Sequence, residues 1–166
     1  MELEAFNRLE PGSMRQTLLD CCHCQRWSVV VAQQAPFATV EELLSVSHSA
    51  WQQADEAEIL EAFSGHPRIG DLSALRDKYA ATATAEQGQV AAADERVLQT
   101  LKDLNDEYFE RFGFIFIVCA TGKSAQEMLS LLQARIGNSR DQELSNGARE
   151  QAAIMQLRIN KLFEAA

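Results

Sequence analysis

The stretch Phe114-Ile115-Phe116-Ile117-Val118-Cys119-Ala120 decides the fold class. It is apolar throughout and rich in aromatic and β-branched residues, so it reads as a short buried strand or extended segment. It is the only strong run of its kind in the chain. A lone strand has nothing to pair with. The expectation is therefore an extended, buried segment threading between helices. Its amides and carbonyls then need partners, and a polar ligand could supply them. The flanking sequence has helical periodicity. This predicts an all-α, single-domain helical bundle over residues 1–166, with roughly seven helices and short joints.

On the C-terminal side, Thr121-Gly122-Lys123-Ser124 resembles the end of a phosphate-binding loop. The glycine such a loop needs five residues before Gly122 is Ile117 here, so the nucleotide reading is rejected. Ser124 with Glu127 instead forms a capping box for a helix carrying Met128, Leu129, Leu131, Leu132 and Ile136, with Gly137 as a stop. The last helix is expected from about Asp141 to Phe163. Leu144, Ala148, Gln151, Met155, Arg158 and Leu162 follow steps of four and three, which places Arg158 on the inward stripe. A buried guanidinium needs a partner. Two readings stand open, an internal salt bridge and a bound anion. Arg149 and Lys161 fall off the stripe and are expected in solvent.

On the N-terminal side, Asp94 opens a helix with Val97, Leu101, Leu104 and Tyr108 that ends near Arg111-Phe112-Gly113. Residues 71–92 are rich in alanine and threonine, and Leu72, Leu75 and Tyr79 suggest a turn or two of helix. Glu86 lies among small residues in Thr84-Ala85-Glu86-Gln87. It is either a solvent-facing helical carboxylate or a desolvated one with a raised pKa. Asp55-x-x-Glu58 opens a helix with Ile59, Leu60 and Phe63 that stops at Gly65-His66-Pro67. Pro67 pushes His66 toward extended backbone angles and holds it at a stiff break. An imidazole titrates near neutrality, at roughly 6.5, so a fixed one suits proton transfer; the plain alternative is a turn histidine with no chemistry. Further back, Thr39-x-x-Glu42 caps a helix with Val40, Leu43, Leu44 and Trp51, and Pro36-Phe37 breaks the chain before it. Ser13-x-x-Gln16 reads as a capping box, with Met14, Leu18, Cys21, Cys22, Trp27, Val30 and Val31 behind it at helical spacing.

The totals exclude several classes. A net charge of −9 over 166 residues argues against nucleic-acid binding, although a few arginines can still dominate a pocket for a small anion. No apolar run approaches the roughly 18–20 residues of a membrane span. The first residues lack the basic and apolar regions of a secretory signal, and Phe163-Glu164-Ala165-Ala166 is not a peroxisomal address. Cys21, Cys22 and Cys24 crowd together with Cys119 far away, which is no disulfide framework and fits a reducing cytoplasm. A zinc site would need a second ligand pair, and only Cys119, His48 and His66 remain to supply it. Core-facing thiols are expected instead.

Taken together, His66-Pro67-Arg68-Ile69-Gly70, Glu86-Gln87, Phe112-Gly113-Phe114, the run Phe116 to Ser124 and Arg158 resemble one family closely, the 2-oxo-4-hydroxy-4-carboxy-5-ureidoimidazoline (OHCU) decarboxylases. Phe6-Asn7, Trp27, Pro36-Phe37, Trp51, Asn105-Asp106-Glu107-Tyr108 and Asn138 also fit its pattern, so the likeness covers nearly the whole chain. The resemblance implies an all-helical homodimer that uses no cofactor or metal and makes (S)-allantoin in the last step of urate degradation. It implies His66 and Glu86 as the catalytic pair, with His66 the acid. Substrate would be lined by Pro67, Ala83, Thr84, Ala85, Gln87, the backbone of Phe116, Ile117, Val118, Cys119 and Ala120, and Arg158. One position departs from the pattern: the family usually has serine where Ala83 stands, so either Thr82 or Thr84 replaces its hydroxyl or that substrate hydrogen bond is missing or moves to water. Two rival readings follow from the remaining features. One is a helical module that binds a purine-breakdown intermediate or a protein partner without turnover. The other is a small metal-binding protein built on Cys21–Cys24.

Overall fold

The computed structural model describes residues 1–67, 73, 75 and 91–164, with backbone alone at 91–94. The described residues form eight helices: α1 (Leu3–Asn7), α2 (Pro11–Cys21), α3 (Gln25–Gln33), α4 (Val40–Gln52), α5 (Glu56–Ser64), α6 (Ala91–Phe112), α7 (Ala125–Arg135) and α8 (Arg140–Leu162). Residues 114–120 adopt no regular structure, and no strand occurs among the described residues. The chain divides into two compact units. The first comprises Met1–His66, Ile117–Cys119 and Leu144–Ala166; the second comprises Pro67–Phe116 and Ala120–Glu143.

In the first unit the chain breaks are held by side chains that the sequence pattern singled out. Asn7 donates from Nδ2 to the Phe37 carbonyl at 2.9 Å and accepts from the Phe37 amide at 2.9 Å, tying α1 to the segment before α4. The peptide bond between Ala35 and Pro36 in that segment is cis. Trp27 and Trp51 are buried. Their indole nitrogens donate to the carbonyls of Ser47 and Ala148, each at 2.9 Å, so neither buried N–H is left unpaired. Phe6, Leu18, Cys22, Trp27, Val31, Leu43, Met155 and Ile159 complete a core with no exposed surface.

Capping follows the expected chemistry at three helices. Thr39 Oγ1 accepts from the Glu42 amide at 3.0 Å, Asp55 Oδ1 from the Glu58 amide at 2.9 Å, and Ser124 Oγ from the Glu127 amide at 3.1 Å. The first expected capping box does not form. Pro11 already occupies the first turn of α2, two residues before Ser13, because its fixed φ and missing N–H suit a helix start. The helical spacing through Trp27 is also interrupted. Cys22 and Cys24 are extended, and they separate α2 from α3. At about 100° per residue a continuous helix would turn Cys22 and Cys24 some 200° apart. The break lets Cys21, Cys22 and Cys24 all face the core, at 2%, 0% and 0% exposure.

The second unit packs α6 against α7, with Leu98, Leu101, Tyr108, Phe112, Met128, Leu129 and Leu132 buried. Gly113 ends α6 with φ +79°, a conformation other residues resist. The first four residues of α8, which lie in this unit, include Glu143. Its carboxylate is fully buried and accepts from the Tyr108 hydroxyl at 2.7 Å, Arg135 Nε at 2.8 Å and Asn138 Nδ2 at 2.9 Å. A buried charge is tolerable only with such a set of donors.

Candidate functional site

His66 owes its position to the end of α5. Gly65 is the C-cap residue, and the amides of Gly65 and His66 bond the carbonyls of Ala62 and Phe63 at 3.1 Å each. A Cβ on Gly65 would lie 2.4 Å from His23 Cβ, so only glycine lets the α2–α3 connection pass this close. Behind it the Phe63 ring sits on Gly147 of α8, where a Cβ would come within 2.7 Å of Cζ. The Phe63–Gly147 approach brings α5 onto α8, the Gly65–His23 approach seats the end of α5 on the α2–α3 connection, and His66 lies beside Gln151.

The imidazole of His66 is half-buried, and its Nε2 lies 2.6 Å from Gln151 Oε1. Gln151 has no exposed surface, and its Nε2 has no hydrogen-bond partner among the described residues. Burial lowers the His66 pKa from its ordinary value. The Gln151 bond opposes that effect, and the positive charge of Arg158 adds to it. The lowered pKa favours the neutral form of the ring at neutral pH.

Arg158 does not occupy the inward stripe of the last helix. The buried face of α8 runs through Gly147, Gln151, Met155 and Ile159 in steps of four, and Arg158, one residue off it, is exposed. It has no ion pair or hydrogen bond among the described residues, which removes the internal-salt-bridge reading within them. Its charge still reaches inward, because it acts on His66 and on Cys21 and Cys22. Burial pushes the Cys21 thiol up to about 11, and Cys22 and Cys24 are raised as well, so all three are inert, protonated core thiols. Among the described residues no group of three or more His, Cys, Asp or Glu is arranged to hold a metal ion.

The remaining expected site residues divide three ways. Ile117 and Val118 are buried and Cys119 is half-buried, as an extended apolar segment should be. In the second unit Phe116 packs edge-on to Tyr108, with ring centres 5.3 Å apart, and under the Arg135 guanidinium at 4.5 Å; Ala120 is half-buried and accepts from the Lys123 amide at 3.0 Å. Pro67 is exposed. Ala83, Thr84, Ala85, Glu86 and Gln87 lie outside the described residues, and so does the helical turn expected around Leu72 to Tyr79, apart from Ser73 and Leu75, which are helical. Gln151 received no role from the sequence. Its signal was a polar residue at an apolar stripe position.

Comparison with known proteins returns one consistent group. Residues 7–160 match the model of the family described as OHCU decarboxylase. The chain is 34% identical over 146 residues to the uric acid degradation bifunctional protein TTL of Arabidopsis thaliana, spanning 86% of this chain but only 45% of that protein. It is 28% identical to the 2-oxo-4-hydroxy-4-carboxy-5-ureidoimidazoline decarboxylase of Xenopus laevis, over 98% of this chain and 95% of the relative. Among solved structures it resembles an OHCU decarboxylase crystallised in the presence of (S)-allantoin, with a TM-score of 0.71, 34% identity, and coverage of 87% of this chain and 95% of the other.

Proposed function

The chain belongs to the OHCU decarboxylase family, and from that premise we propose that it converts OHCU to (S)-allantoin and carbon dioxide. The observation that carries this reading is the family match across residues 7–160, together with a structural likeness at 34% identity to a protein studied with (S)-allantoin. The reaction domain is taken as residues 1–166, working as a homodimer in the cytoplasm.

The chemistry explains why such a site works with side chains alone. OHCU carries a hydroxyl and a carboxylate on one ring carbon, next to a ring C=N. When the bond to the carboxylate breaks, its electron pair enters the ring and the C=N electrons pass to nitrogen, which takes a proton. The resulting enol then loses its hydroxyl proton and gains one at the ureido-bearing carbon. That last proton sets the stereocentre, so it must come from one side. His66 is the proposed donor, held in place at the end of α5. Its neutral form is favoured at rest, and the arrival of an anionic substrate favours its protonated form. Glu86 is proposed to hold the substrate hydroxyl and align the leaving carboxylate. Gln87, Pro67 and the backbone of 116–120 would read ring and ureido amides, and Arg158, a carbonyl or the carboxylate. With Ala83 in the usual serine position, Thr82 or Thr84 would supply the hydroxyl contact.

The test is to generate OHCU freshly from urate by oxidation and hydrolysis, add the protein, and follow the optical rotation of allantoin. The expected result is a rate above spontaneous decay, one-handed product, and no loss on adding a chelator. Unaccelerated racemic allantoin would overturn the reading, and loss of activity with chelator would favour a metal site.

A further inference from the structure

We propose that Gln151 is the positioning residue for His66: its amide carbonyl accepts the Nε2 proton, so the imidazole is held in one tautomer and presents Nδ1 as the atom that exchanges a proton with substrate. The inference rests on His66 being the proton donor of the proposed reaction. Three observations carry it. The two groups meet at 2.6 Å although they stand 85 residues apart in the chain. Gln151 has no exposed surface and occupies a position of α8 whose neighbours along the same face are Gly147, Met155 and Ile159. An apolar side chain would fill that position, and only the His66 Nε2 would lose a partner. Instead the glutamine amide nitrogen is buried without a partner among the described residues, which makes it a poor purely structural choice.

A carbonyl acceptor at Nε2 has a particular advantage here. It accepts from the neutral Nε2–H tautomer and equally from the imidazolium, so the bond persists while Nδ1 gains and loses its proton. A carboxylate in the same place would hold the imidazolium and hinder proton release. Arg158 on α8 disfavours a second positive charge. His23 on the α2–α3 connection packs against Gly65, and Glu61 on α5 is turned to the Gln25 amide at 3.3 Å. Gln151 is thus the neutral counterweight that keeps the imidazole protonatable beside a cation.

The test begins with the unaltered protein. Long-range proton–nitrogen NMR of its imidazole side chains, assigned with His66→Asn, should show Nε2 carrying the proton of neutral His66. An Nδ1–H pattern would overturn the proposal without any variant. Gln151→Met and Gln151→Glu then read function. The first should lower kcat by about tenfold or more with a smaller change in KM, and shift the titrating limb of the rate profile to lower pH. The second should shift that limb to higher pH. An unchanged kcat and pH profile in a folded Gln151→Met protein would also overturn it. The underlying functional reading fails differently: full activity in His66→Asn removes the histidine from the reaction, whatever tautomer it adopts.

Discussion

His66 combines a fixed backbone, a half-buried ring and one strong hydrogen-bond partner. General acid catalysis typically contributes about 10²–10⁴-fold. His66→Asn should therefore lower kcat by at least about 10²-fold, while far-ultraviolet circular dichroism shows unchanged helix. The same ring makes a pH-dependent contribution to stability. Its folded pKa lies below its unfolded value of 6.5, so the unfolded chain binds more protons in that window. Stability falls as pH drops through 6.5 toward the folded value. Urea titrations should show a steeper acid-side loss for the unaltered protein than for His66→Asn between pH 7 and about 5. Gly65 bears on the same site through space alone. Gly65→Ala would drive a Cβ to within 2.4 Å of His23 Cβ, so either the α2–α3 connection or the end of α5 must move. Overpacking of this kind costs about 1–3 kcal/mol, to be read from urea midpoints, with kcat falling as His66 is displaced.

The elements are legible to the degree that their signals are local. Thr39, Asp55 and Ser124 each cap the helix their sequence announces, because the bond joins residues three apart and needs nothing else. Thr39→Ala should cost about 1 kcal/mol in denaturant unfolding. The short α1 was not expected, since five residues offer too little periodicity to read. Ser13-x-x-Gln16 misled because Pro11 supplies a stronger start two residues earlier. The 114–120 segment behaves as expected in having no strand ladder among the described residues. What surrounds Phe116 was not legible. Tyr108, Arg135 and Asn138 come from three places in the chain to one carboxylate, Glu143, and Arg135 also covers the Phe116 ring. Burial, with the Glu143 bond next, raises the Tyr108 pKa, so its hydroxyl remains a donor. Glu143→Leu would remove the buried acceptor shared by Tyr108, Arg135 and Asn138 and should cost about 3–5 kcal/mol, measured by thermal or urea unfolding.

For the whole molecule, no helix among the described residues is long and apolar enough to cross a membrane. The proposed homodimer gives a direct expectation: light scattering should return about twice the 18.5 kDa of one chain at micromolar concentration. A mass of 18.5 kDa that persists in the active enzyme would refute the dimer. The sequence by itself determined the helical class, the starts of α4, α5, α7 and α8, the extended run at 114–120 and the stop that holds His66, whereas Asp94, read as a helix start, lies inside a helix already running at Ala91. These depend on neighbours a few residues away, through capping, periodicity and the rigidity of proline. Only the tertiary structure decided that Gln151 meets His66, that Glu143 gathers three donors, and that Arg158 sits exposed while its charge reaches the imidazole. The His66–Gln151 contact spans 85 residues, and no local pattern encodes which side chain will stand opposite another once two helices pack.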